Sequence, residues 1–98
     1  MKLVLLDEAQ RRFEAEDLWW RDHRDAGDLF TDEFVRTLER LRASPEIGQS
    51  YRRSRGKLIR RLLMQRVHCH VYYSYDPERE LIEIHSIWGA MRRRGPKL

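Results

Sequence analysis

The hydrophobic pattern changes period at Ser44-Pro45-Glu46-Ile47-Gly48, and that change limits the possible folds more than any other feature. Upstream, Phe30, Phe34, Leu38 and Leu41 recur at intervals of four, four and three, the stripe of an amphipathic helix. Downstream, Cys69, Val71, Tyr73 and Tyr75 recur at intervals of two, as on one face of a strand, with His68, His70 and Tyr72 opposite. A chain that places its helices first and its strands afterwards is expected to form an α+β domain, with a helical hairpin on one face of a mainly antiparallel sheet.

The elements follow from this division. Leu3–Leu6 is a short apolar run that predicts a strand. Asp7 follows, placed to cap a helix that runs to about His23. Ala9, Phe13, Glu16 and Trp20 share a face of that helix, which Glu16 interrupts. Asp25-Ala26-Gly27-Asp28 reads as a turn, and Leu29 to about Ala43 as a second helix. Its acidic start and basic end complement the helix dipole. Gln49–Gly56 reads as a polar, basic loop. Strands are predicted over Lys57–Met64, His68–Asp76 and Glu80–Trp88, the last two joined by the turn Asp76-Pro77-Glu78-Arg79. The predicted order is β-α-α-β-β-β, in a single domain spanning 1–98.

A chain of 98 residues buries a modest core, roughly 60–70% of its unfolded surface. The lone Cys69 makes no internal disulfide, as expected in a reducing cytoplasm. The apolar run near the N-terminus is too short for a signal peptide or a membrane span, so no membrane association is expected.

Charge is unevenly spread. Residues 1–48 carry 8 basic and 12 acidic side chains, a net of −4, whereas residues 49–98 carry 12 and 4, a net of +8. A cationic half of this kind attracts a polyanion or an acidic protein. Apart from Arg79, its arginines and lysines fall in two groups: Arg52, Arg53, Arg55, Lys57, Arg60, Arg61 and Arg66, then Arg92, Arg93, Arg94 and Lys97. The guanidinium fork suits phosphate, and Tyr72 or Trp88 are candidates to stack on a base. If the last strand lies near the first of the predicted three, the two groups converge.

His68-Cys69-His70 looks like half of a metal site, but Cys69 points away from the two histidines and no second ligand pair exists. Structural zinc takes four protein ligands, so no metal and no cofactor is expected. His70 and His85 are the candidate bases. Near arginines the proton affinity of His85 should fall, which suits a base at neutral pH.

Three segments in order, FTDEFVRTLERLRASPEIGQSYR, IRRLLMQRVHCHVYYSYD and IEIHSIWGAMRRRG, resemble the RelE/ParE superfamily of bacterial toxins from type II toxin–antitoxin modules. The resemblance spans about Asp7 to Gly95. It implies a helical hairpin on a twisted antiparallel sheet and a cognate, usually acidic, antitoxin. It also implies one of two activities: RelE-like members cut mRNA on the ribosome, and ParE-like members inhibit DNA gyrase. Arg61 matches a basic strand position, His70 stands where an arginine is common, and Arg92 to Arg94 occupy the exit of the last strand. No tyrosine follows Tyr75. For a nuclease, the resemblance implies metal-free chemistry. His70 or His85 would activate a ribose 2′-OH, with Arg61 and Arg92 to Arg94 on the phosphate. For a gyrase inhibitor the same arginines make protein contacts. A module retaining only antitoxin binding is the third expectation.

Overall fold

The computed structural model describes residues 1–98. The chain runs β1 (Lys2–Leu5), α1 (Asp7–His23), α2 (Leu29–Ala43), β2 (Gln49–Ser54), β3 (Lys57–Met64), β4 (Cys69–Asp76) and β5 (Leu81–Gly89). One five-stranded sheet has the order β1-β5-β4-β3-β2. Strands β2 to β5 form antiparallel neighbours, and β1 lies parallel to β5, with Lys2 opposite Leu81 and Leu5 opposite Ile84. The α+β class and the helical hairpin agree with the sequence reading, but the sheet has one strand more than expected.

That strand is β2, which lies where a loop was expected. Its sequence, QSYRRS, offers no apolar alternation, because as an edge strand it has little to bury. It turns into β3 through Arg55 (φ 51°) and Gly56 (φ 78°). Two left-handed residues in a two-residue connection are the turn that matches the twist of a hairpin.

The helices cover one sheet face, α1 over β5 and α2 against β3. Phe30, Phe34 and Leu41 of α2 and Ala9 of α1 are buried against Val71, Tyr73, Ile82, Ile84 and Ile87. Each such large side chain contributes roughly 1.5–3 kcal/mol through its removal from water. The Phe13 ring lies 5.0 Å from Phe34 and 5.7 Å from Phe30, which stitches the two helices together. At the turn that joins the two helices Arg21 bridges Asp17 and Asp28, each at 3.0 Å. The Asp17 carboxyl is held below its usual range by the Thr31 hydroxyl at 2.6 Å, with Arg21 adding to the effect.

Asp7 does not cap α1. Leu6 occupies the cap with extended backbone and no side-chain bond, so Asp7 lies inside the first turn and acts there through the helix dipole. Strand β4 begins at Cys69, because His68 adopts φ 52° in the preceding turn. The pairing of His68 with His70 on one strand face is thereby lost, and no cluster of three or more His, Cys, Asp or Glu has a geometry that could hold a metal ion. No helix is long and apolar enough to cross a membrane.

Candidate nucleic-acid interface

The second sheet face carries the candidate site. Directly opposed residues of antiparallel strands point to the same side. The pairs Arg61–Tyr72, His70–Trp88 and Tyr72–Ser86 therefore place these side chains together, away from the helices. Tyr51 joins them from β2, at an irregularity in the register between Ser50 and Arg52. Its ring meets Tyr72 edge-on at 4.9 Å, and the Arg61 guanidinium lies 5.2 Å from its centre. His70 approaches Tyr72 edge-on at 5.9 Å. Burial lowers the His70 pKa, and the Arg61 charge lowers it further. The imidazole is thus neutral near pH 7 and able to accept a proton, beside a cation whose buried Nε has no partner.

His85 lies elsewhere on the same face. The register between β4 and β5 passes from Tyr72–Ser86 to Tyr73–Ile84, so His85 is the extra residue of a bulge. Its Nε2 shares a hydrogen bond of 2.8 Å with the Ser74 hydroxyl. Burial lowers its pKa, opposed by Glu83 and assisted by Lys57. A cleft of about 310 Å³ brings Arg55, Lys57, Lys97 and Ser54 to this histidine. His70 sits with Arg61, and His85 with the β2–β3 hairpin cations.

The remaining candidates scatter. Arg60 pairs across from Tyr73 and donates to the Glu46 and Gly48 carbonyls at 3.2 and 3.0 Å, so it fastens the α2–β2 loop. Arg53 lines a separate cleft with Arg79 and Glu83. Arg92 turns toward α1, where its guanidinium and that of Arg12 each lie 4.5 Å from the Trp88 ring centre. Trp88 is engaged by both cations, and Tyr72 is only 2% exposed. Tyr72 is therefore not free to stack on a base, contrary to the expectation from sequence.

Strand β5 does not neighbour β2 or β3, so the two basic groups do not meet through strand pairing. They meet through the C-terminal segment, which crosses the open face. The Trp88 indole donates to the Arg94 carbonyl, Gly95 rests against the Tyr51 hydroxyl, Pro96 is buried, and Arg52 donates to the Leu98 carbonyl at 3.3 Å. Arg93 and Arg94 stay exposed along this path. Tyr51, Ser74 and Arg12 were not singled out from the sequence. Tyr51 had a signal, an aromatic next to two arginines in SYRR. Ser74 and Arg12 reach their places only through the bulge and the helix packing.

No family model and no curated protein matches the chain. Among solved structures it is similar to the isolated RelE toxin of E. coli, with a TM-score of 0.66 over 95% of this chain and 87% of that one, at 14% sequence identity. The fold is that of RelE. The likeness agrees with the α+β class and the helical hairpin expected from the sequence, whereas the parallel β1–β5 pair was not among those expectations.

Proposed function

We propose that the protein is the toxin of a toxin–antitoxin pair and arrests growth by cleaving mRNA on the ribosome. The observation that carries this reading is the neutral imidazole of His70 beside the Arg61 guanidinium on the cationic sheet face that the C-terminal segment crosses. The RelE fold supports it. In the proposed reaction His70 takes the proton of a ribose 2′-OH, and the freed oxygen attacks the adjacent phosphate. Arg61 neutralises the charge that grows on the phosphoryl oxygens. The 5′ oxygen leaves with a proton from solvent, giving a cyclic phosphate and a 5′-hydroxyl. Arg52, Arg55, Lys57, Arg93, Arg94 and Lys97 hold the flanking backbone. His85, apart from this pair, serves the cleft with Ser74, and Arg92 supports the Trp88 corner.

Primer extension on cellular mRNA after induction tests the reading. Breaks within translated codons are expected, reduced about a hundredfold by Arg61→Ala or His70→Ala. Growth arrest with intact mRNA would sink it. A second reading, inhibition of DNA gyrase, is favoured by the exposed, unpaired Arg93 and Arg94, which suit contact with a protein target. Inhibition of supercoiling by the purified protein, unchanged in His70→Ala, would select that reading.

A further inference from the structure

The helices cover one face of the sheet, yet the other face is not bare. Ile59, Tyr72 and Ser86 are buried, and all three lie outside the core packed under α1 and α2. Ile59 stands two residues before Arg61 on β3 and shares its face. What covers them is the C-terminal segment. Two consecutive residues of it touch opposite sides of the sheet: the Arg94 carbonyl accepts from the Trp88 indole of β5, and Gly95 rests on the Tyr51 hydroxyl of β2. Strands β4 and β3 lie between those two, so the segment passes over His70, Tyr72 and Arg61.

The seat is light. Residues 93–98 make no backbone–backbone hydrogen bond with the sheet and no ion pair. The bonds from Trp88 and Arg52 to its carbonyls and the burial of Pro96 hold the segment down. Elements with so few contacts open at small free-energy cost. Closure also leaves Arg61 Nε and the Ser86 hydroxyl buried without a partner, and opening returns them to water.

We propose that residues 93–98 form an autoinhibitory strap, which closes off Arg61 and His70 when seated and lifts to admit RNA. The proposal rests on the reading of that pair as the reactive centre. A polyanion gains Arg61 only in the lifted state, so its binding draws the strap open. Gly95 is the point at which the seat can be broken. An added methyl there would overlap the Tyr51 hydroxyl and lie 3.3 Å from Cζ of the same ring. That ring has little room to yield, with Tyr72 edge-on at 4.9 Å and the Arg61 guanidinium at 5.2 Å.

Gly95→Ala should therefore unseat the strap, and adding Tyr51→Phe, which removes the obstructing oxygen, should reseat it. Acylation of His70 by diethyl pyrocarbonate, followed by mass spectrometry with the exposed His68 as reference, reads the cover. Affinity of the unmodified full chain for an oligouridylate reads the inhibition. Gly95→Ala should raise both about tenfold, and the double variant should return both to the wild-type level. Equal His70 reactivity in the wild type and Gly95→Ala, or a rise that Tyr51→Phe does not reverse, would overturn the strap. Unchanged reactivity alongside cleaved mRNA would overturn the strap alone. A reversible rise in reactivity with no gain in oligouridylate affinity would support the cover and count against RNA as the ligand of this face.

Discussion

At Gly48 the backbone N–H donates to the Tyr73 hydroxyl at 2.8 Å, and an added methyl would lie 2.6 Å from that oxygen and 3.0 Å from the Arg61 carbonyl. Gly48→Ala should therefore cost about 1–3 kcal/mol through overpacking. Tyr73→Phe should cost about the same by stranding a buried N–H. Urea unfolding checks both, and a double variant less destabilised than the two singles together would confirm the shared contact. The two histidines set a pH dependence. Both have pKa values below the usual 6.5 in the folded chain, so the unfolded chain binds protons more readily. Their contribution to stability is full above about pH 6.5 and is lost as pH falls through the lowered folded values. Denaturant midpoints should drop between about pH 7.5 and 5.5, less steeply in His70→Gln/His85→Gln; parallel curves would refute this. The partnership of Arg61 with His70 was within reach of sequence, because alternation along β3 and β4 turns both to one face. Separation of the two histidines was not, because it depends on a one-residue bulge that no composition signals.

At the scale of elements, α2 carries the clearest logic. Phe30, Phe34 and Leu41 fall on its buried stripe, and Thr37 completes it by donating its hydroxyl to the Glu33 carbonyl at 2.8 Å. Phe34→Ala should cost about 3–5 kcal/mol through the cavity it leaves. Val35→Ala, one residue along and 47% exposed, should change stability by at most about 0.5 kcal/mol. Thermal melts of the two variants check the face assignment, and equal losses would contradict it. The limits of α2 and β3 were readable because burial imposes a strict period on them. Strand β2 was not, since its pairing relies on backbone bonds to β3, which any sequence can make, while its side chains stay largely in water. The start of β4 was misplaced by one residue for a similar reason: His68 looks like the next step of an alternation but occupies a left-handed turn. The path of the C-terminal segment across the sheet was likewise invisible, because it is fixed by single contacts of Gly95, Pro96 and Leu98 and has no periodicity.

Over the whole molecule, the acidic half forms the helices and the basic half the sheet, so charge is divided between two layers. Binding of single-stranded RNA to the sheet layer should be steeply sensitive to salt. If Arg52, Arg55, Lys57 and Arg61 each displace one counterion, a rise from about 50 to 200 mM salt should weaken binding about fiftyfold. Fluorescence anisotropy at several salt concentrations measures the slope, and a flat response would remove the phosphate-binding role of these residues. The parallel pairing of β1 with β5 has a consequence in time. Lys2 finds its partner in Leu81, 79 residues later. At about 5–20 residues per second of synthesis, that partner is made roughly 4 to 16 s after the first strand. Until the interior strand β5 is made, β1 has nothing to pair with and α1 lacks the strand it packs on. The complete sheet therefore lags its first strand by several seconds of synthesis.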